Sequence, residues 1–281
     1  MKAAKEAFGF CIAALQNMNT EITKRLDFAV AMSQKAGENT LKYFQKKNFE
    51  IELKGDETPV TVADKETERL MRALIEAEFP DDEIIGEEMP SRPGASGFGW
   101  ILDPIDGTKS FIHGVPLYGT LVGITLDGEA VAGVIRIPAQ DECVYAALGS
   151  GAWYTKNGSE PVPARVSQVR TLRESLVLTT EEKTFYQHGR YENRKNLMLS
   201  ARLARNWGDC YGYLLVATGR AEVMVDPEMS LWDTAALMPI ILEAGGTFTD
   251  WQDVATYKSA DSIATNGHVH DEVMKALKMN E

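Results

Sequence analysis

Three observations predict an α/β protein made of two packed halves that meet near residue 170. Apolar positions recur at helical spacing over residues 22–79. β-prone runs separated by turn residues then occupy Glu83 to Gly158, and beyond Ser175 strand-like and helix-like segments alternate. With 281 residues, 44% of them hydrophobic, the chain can bury a sizeable core without disulfides or a structural metal. Its 23 Gly and 11 Pro are ordinary for a globular chain and exclude fibrous repeats and wholesale disorder.

Residues 1–20 are expected as an extension, 21–170 as the first half and 171–281 as the second. Ile22, Leu26, Ala29, Val30, Ala36, Leu41 and Phe44 predict a helix from Ile22 to Phe44. A turn is expected from Lys54 to Pro59, then a helix from about Asp64 through Met71 and Ile75 to Phe79, where Pro80 stops it. Strands are expected at Glu83 to Ile85 and Trp100 to Leu102, around a Pro/Gly/Ser-rich surface loop from Pro90 to Gly99. Thr120 to Leu126 and Ala130 to Ile137 read as a hairpin across Asp127, Gly128 and Glu129, and Asn157 with Gly158 marks a further turn. In the second half, strands are expected at Leu176 to Thr179, Glu222 to Val225, Thr247 to Thr249 and Ser262 to Ala264. Helices are expected at Asn196 to Ala204, at Cys210 to Ala217 with Gly219 as its C-terminal stop, and at Leu231 to Ala244.

A formal net charge of -12 disfavours a nucleic-acid backbone or an anionic membrane as partner, because polyphosphate binding needs a clustered positive field. Such a surface suits a small substrate or a cation. Cys11, Cys143 and Cys210, like the four scattered histidines, provide neither a disulfide framework nor a sequence-local zinc motif. The apolar stretch Phe8 to Leu15 is too short to span a bilayer and lacks the flanks of a secretory signal, so a cytoplasmic location is expected.

Acidic residues concentrate where elements are expected to end: Asp64, Glu87 with Glu88, Asp103 with Asp106, and Asp233. Asp103-Pro-Ile-Asp-Gly-Thr108 follows directly on a buried strand and projects two carboxylates into whatever crevice lies at its end. Two like charges about 4 Å apart repel by roughly 4 kcal/mol at an effective dielectric of ~20. A divalent cation reverses that sign. All-oxygen ligation favours hard ions such as Mg2+, with Mn2+ as a substitute, and Mg2+ shares its shell with phosphate oxygens. Gly107 and Thr108 would open a helix whose free backbone N–H groups form an anion site beside the carboxylates. Taken singly, each signal has a bland reading: the Asp-Pro-x-Asp-Gly run as a solvated turn, the Glu pair as a solvated loop, Asp233 as a helix cap. Asp233 resists dismissal most, since it sits in the apolar run Leu231, Trp232, Ala235, Ala236, where an unpaired carboxylate is expensive to bury.

Glu87-Glu88, Trp100-Ile-Leu-Asp-Pro-Ile-Asp-Gly-Thr-Lys-Ser-Phe111, Trp232-Asp-Thr-Ala-Ala236 and Glu243-Ala-Gly-Gly246 together resemble the signature set of the inositol monophosphatase family. Those proteins are magnesium-dependent, lithium-sensitive phosphomonoesterases. The resemblance covers about residues 21–281 in order and includes Val60-Thr-Val-Ala-Asp64; Leu237 departs from it, standing where inositol phosphatases often carry glycine. It implies a layered αβαβα sandwich of the sugar-phosphatase type, two or three Mg2+ ions, a small phosphorylated substrate and a homodimer. By residue, it implies that Glu87, Asp103 and the Ile105 carbonyl hold one metal, and that Asp103, Asp106 and Asp233 hold a second. It further implies that a metal-bound water, oriented by Glu87 and Thr108, attacks phosphorus in line. Asp64 would support the threonine, Glu88 would stand behind the ligands, and the Gly107 and Thr108 N–H groups would receive the phosphate.

The segment Arg205-Asn-Trp-Gly-Asp-Cys-Tyr-Gly-Tyr-Leu-Leu-Val-Ala-Thr-Gly219 is similar to the bacterial histidinol-phosphate phosphatase branch. Histidinol phosphate carries an ammonium and an imidazole, which added carboxylates at Asp209 and Asp226 could pair; Asp106 is also expected against substrate. Helix capping by Asp209 and a turn at Asp226-Pro227 are the bland alternatives. Histidinol phosphate is therefore the expected ester. Inositol 1-phosphate, fructose 1,6-bisphosphate and adenosine 3',5'-bisphosphate are the alternatives within the class. Outside it stand a glycosidase with paired carboxylates, which needs no metal, and a non-catalytic metal- or phosphate-binding regulator.

Overall fold

The structure is a computed structural model that describes residues 2–46, 51–53 and 59–278, with side chains for 18–46 and 61–278. The turn expected over 54–58 lies outside the described residues. The chain opens with α1 (Lys2–Leu41), so the helix expected from Ile22 starts at Lys2 and takes in the backbone of the expected extension. A short hairpin of β1 (Ile51–Leu53) and β2 (Pro59–Thr61) leads straight into α2 (Val62–Glu78).

A seven-stranded sheet follows, in sequential order. Its strands are β3 (Glu83–Gly86), β4 (Phe98–Asp106), β5 (Gly119–Leu126), β6 (Glu129–Ile137), β7 (Glu142–Ala147), β8 (Ala152–Lys156) and β9 (Val162–Pro163), with α3 (Thr108–Ile112) between β4 and β5. β3 runs parallel to β4 and every later neighbour is antiparallel. The second part carries β10 (Leu176–Leu178), α4 (Glu182–Gln187), α5 (Tyr191–Ser200), β11 (Leu203–Arg205), α6 (Asp209–Ala217), β12 (Val223–Asp226), α7 (Leu231–Glu243), β13 (Thr247–Thr249), β14 (Ser262–Thr265) and α8 (His270–Lys278). Its five strands order as β11-β10-β12-β14-β13.

The period-two alternation of the strands builds the layers. Val122, Ile124, Ala132 and Val134 point to one face of the large sheet and pack on Ala29, Met32 and Met71 of α1 and α2. Leu121, Ile135 and Ile137 point to the other and meet Leu214, Ala236 and Ile240 of α6 and α7. Those two helices also pack on the small sheet through Met224, Phe248 and Ala264. The far face of that sheet, with Val177, Val223 and Ile263, is covered by Phe185, Leu197 and Val273 of α4, α5 and α8. The result is an αβαβα sandwich. Among the described residues no helix is long and apolar enough to cross a membrane.

Two further expectations meet a different outcome. The strand expected to end at Leu102 runs on to Asp106, through the proline, because Asp103 and Asp106 still register with Leu121 and Gly119 of β5. Leu203 and Ala204, expected as helix, form an edge strand parallel to β10, with Leu176 opposite Leu203. Sheet pairing there overrides the local helical spacing. Gly219, with φ of 70°, lies just past the end of α6 as expected of a left-handed helix stop.

The central helix α7 lies unusually near the large sheet, since a Cβ on Gly133 would stand 2.1 Å from the Ala236 carbonyl oxygen and one on Gly123 2.7 Å from the Ala235 Cβ. Gly133→Val is therefore expected to cost about 1–3 kcal/mol or more, as overpacking does. A fall in the urea midpoint relative to wild type, with a substitution of the exposed helical Lys35, Lys35→Ala, as a surface control, measures it.

Candidate active site

The two aspartates of the Asp103-Pro-Ile-Asp106 run are three positions apart, and in an unbroken strand they would face opposite ways. The register shifts between them: Asp103 pairs with Leu121 and Asp106 with Gly119, so three steps on β4 match two on β5. This one-residue bulge turns both carboxylates to the same face, that of Leu121 and α7. Thr120 holds the extra residue in place by donating to the Pro104 carbonyl at 2.9 Å. Asp103 Oδ1 accepts the Ile105 N–H at 2.9 Å, and Asp106 Oδ2 accepts the Cys210 N–H at the start of α6.

Opposite this bulge stands the N-terminus of α7. Asp233, in its first turn, accepts the Ser230 N–H at 2.6 Å with one oxygen, so the capping role weighed from sequence is present. Asp103, Asp106 and Asp233 nonetheless each offer an oxygen within 4.8 Å of the others. Glu87 lines the same cleft at the end of β3, where its N–H reaches the Leu102 carbonyl at 3.2 Å. Asp64 is buried behind the group, with Oδ2 taken by the Thr61 N–H at 2.8 Å and by its hydroxyl, and Oδ1 without a hydrogen-bond partner among the described residues. The Thr108 hydroxyl donates to the Ile105 carbonyl at 3.1 Å and not to Asp64.

Gly107 caps α3 with φ of 81°, a left-handed conformation that favours glycine and turns the chain sharply out of β4. A Cβ there would also stand 2.8 Å from the Asp209 carboxylate, so Asp209 packs against this turn. Asp209 itself has φ of 52° and is fixed by its N–H to the Thr180 hydroxyl at 2.9 Å. Asp226 is buried with both oxygens engaged, by the Thr180 N–H at 3.2 Å and the Tyr213 hydroxyl at 3.0 Å. Glu87, Asp103, Ile105, Asp106, Gly107, Thr108, Asp209, Asp226 and Asp233 all line one cleft of about 680 Å3; Asp64 and Glu88 stand outside its lining.

Burial, then the charges of Glu87, Asp106, Asp233 and Asp64, pushes the Asp103 carboxyl well above the usual carboxylate range. Burial followed by Asp209 and Asp233 does the same to Asp106. Asp209 and Asp233 rise to about 7 and Asp64 and Asp226 to about 6, burial being the largest cause in each. A positive charge brought nearby favours the ionised form of carboxylates so placed. A hard divalent cation fits that need, because the three closest donors are all carboxylate oxygens and are carried by two rigid elements, β4 and α7. The orphaned buried Asp64 Oδ1 is a further acceptor facing this charge deficit.

Several parts of the site carry no sequence motif. Thr180, at the end of β10, organises both Asp209 and Asp226, and Tyr213 on α6 secures the latter. Lys109 spans the cleft mouth to Glu181 at 2.5 Å. Glu68 and Arg72 form a buried pair at 2.7 Å beneath the Glu87 loop. Their i,i+4 spacing on a predicted helix was the available signal for that pair.

Residues 21–280 match the sequence profile of the inositol monophosphatase family. A histidinol-phosphatase of Chlorobaculum parvum is 46% identical over 231 residues, covering 82% of this chain and 87% of that one. A histidinol-phosphatase of Mycobacterium tuberculosis is 35% identical over 252 residues, covering 90% and 97%. Among solved structures, the extragenic suppressor protein suhB of Bartonella henselae superposes with a TM-score of 0.85 at 28% identity, covering 92% of this chain and 100% of that one. Sequence profile, relatives and layered fold agree with the cleft's chemistry, and the chain belongs to the inositol monophosphatase family.

Proposed function

We propose that this chain is a Mg2+-dependent phosphate monoester hydrolase whose substrate is L-histidinol phosphate, cleaved with water to L-histidinol and phosphate. The observation that carries the hydrolase reading is the meeting of Asp103, Asp106 and Asp233 oxygens within 4.8 Å, in one cleft with the Gly107 turn. The likeness to two histidinol-phosphatases, at 46% and 35% identity, supports the choice of ester.

Glu87, Asp103, the Ile105 carbonyl, Asp106 and Asp233 would hold two or three Mg2+ ions, with Mn2+ able to substitute. Bound there, the metal supplies positive charge to the phosphate oxygens and an activated water. The chain's own groups do the rest. The N–H groups of Gly107 and Thr108, at the sharp exit from β4, receive the phosphate. Glu87 and the Thr108 hydroxyl would orient the attacking water, and the Glu87 carboxylate would accept its proton; the Thr108 hydroxyl is held by the Ile105 carbonyl instead of Asp64, which supports the cluster from behind, and Glu88 secures the Glu87 loop. As the new P–O bond forms, the bond to the leaving alkoxide breaks in line with it; that oxygen takes a proton from solvent water in the cleft, and Glu87 returns the proton it accepted to solvent.

On the leaving-group side, Asp106 and Asp209 are the carboxylates available to a cationic alcohol. Asp226, with both oxygens holding Thr180 and Tyr213, contributes its field and fixes the Thr180 loop. Residues 21–170 thus supply most metal ligands, and 171–281 supply Asp233 and the leaving-group wall. Lithium inhibition, a homodimeric state and a cytoplasmic location complete this reading.

Asp103→Asn is expected to lower kcat/KM by on the order of a thousandfold, the equivalent of several kcal/mol at about 1.4 kcal/mol per decade. Phosphate release with and without excess Mg2+ measures it, and near-normal turnover would remove the metal assignment. Asp209→Ala is expected to raise KM for L-histidinol phosphate roughly tenfold, as loss of a charge-assisted contact does, and to leave inositol 1-phosphate unchanged. Parallel KM measurements on the two esters decide it.

The raised carboxyls also set a pH dependence. Their folded values of about 6–7 exceed the ordinary 3.8, so the folded state binds the extra protons. Stability of the chelated protein is full below about pH 4 with respect to these groups and is lost as pH rises through 6–7. Melting temperature in EDTA should therefore fall from pH 5 to pH 7.5, and Mg2+ should restore it at the upper end; a rise with pH in EDTA would contradict the cluster's electrostatics.

A further inference from the structure

Glu87 is delivered by a loop whose own anchoring lies on the side away from the cleft. Glu68 on α2 is fully buried, and its carboxylate meets the segment on both sides of Glu87. Oε2 accepts the Glu88 N–H at 2.7 Å. On the other side, a Cβ on Gly86 would stand 2.3 Å from Oε1, so the strand end lies flat against the same carboxylate. Arg72, one helical turn further along α2 and buried as well, donates Nε to Oε1 at 2.7 Å and Nη2 to the Met89 carbonyl at 3.0 Å. The chain from Gly86 to Met89 is thus gripped at three points by two side chains that do not line the cleft.

We propose that Glu68, seconded by Arg72, is the positioning residue that sets the Glu87 carboxylate for metal binding. A carboxylate is required because it alone offers an oxygen to the guanidinium and a second to a backbone N–H at once; an amide of the same size must turn its NH2 toward one of two donors. The spacing Asp64, Glu68, Arg72 puts the three residues on one face of α2, so a single helix supports Asp64 and aligns Glu87. Removing a group that orients a metal ligand commonly costs about 10–100-fold in metal affinity or activity.

This inference rests on the metal reading above, and the test separates the two. Mn2+ binding to the purified full chain, followed by electron paramagnetic resonance, is the direct readout, with the Mg2+ concentration for half-maximal phosphate release and kcat at saturating Mg2+ beside it. Glu68→Gln is expected to weaken Mn2+ binding and raise the Mg2+ requirement at least about tenfold, with kcat at saturating Mg2+ within about threefold of wild type. Asp82→Asn is the control for simple destabilisation. Asp82 is an equally buried carboxylate, held by Arg25 at 2.8 and 3.0 Å but unconnected to the Glu87 loop. Its loss should lower the melting temperature and leave Mn2+ affinity unchanged. If Glu68→Gln fails to fold, Arg72→Lys, which keeps the charge but not the reach to Met89, should still weaken Mn2+ several-fold. Wild-type Mn2+ affinity in the folded variants, or equal weakening in Asp82→Asn, overturns the inference. Absence of Mn2+ binding by the wild-type chain overturns the metal reading and this inference with it.

Discussion

Everything in this molecule answers to one constraint: several carboxylates are forced together where water screens them only in part. Asp103 and Asp106 approach from a bulged strand and Asp233 from a helix start, each rising above its ordinary proton affinity as a result. Left to themselves, flexible side chains would swing apart. They stay because each is tethered by at least one backbone N–H: Asp103 by Ile105, Asp106 by Cys210, Asp233 by Ser230. Those tethers use one oxygen apiece and fix the three carboxylates at the crevice.

The same economy appears on the leaving-group wall. Thr180 spends its N–H on Asp226 and its hydroxyl on Asp209, so one threonine orders two carboxylates from different elements. Asp226 is thereby consumed by the scaffold, while Asp209, wedged against the Gly107 turn in a left-handed conformation, keeps an edge toward the cleft. Non-glycine residues persist in that conformation where the surroundings over-determine them, and here the surroundings are the turn that exits β4.

Much of the site was legible in the sequence because its chemistry demands particular residue types at particular element ends: Asp103, Asp106, Glu87 and Asp233 advertised themselves as acids where burial would otherwise be ruinous. The bulge was not legible. Nothing in Asp-Pro-Ile-Asp says that β5 will pair through it, and the strand was expected to stop at Leu102 for that reason. Leu203 and Ala204 went astray similarly, since pairing with β10 is a long-range event that local spacing does not encode. Glu68 and Arg72 were hidden by their ordinariness: on a helix, Glu and Arg at i,i+4 usually form a solvated pair, and only the packing of β3 over them makes the pair an internal anchor.

The placement of α7 has one more consequence. It shares the middle layer of the sandwich with α6, is pressed onto the large sheet at Gly123 and Gly133 and touches the small sheet on its other side, and its first turn carries Asp233. The gap between the two sheets is therefore also the gauge that sets how far Asp233 stands from Asp103. Thermal loosening of that middle layer would detune the acidic centre before the strands themselves part, tying the working temperature of the cleft to the tightness of a single helix.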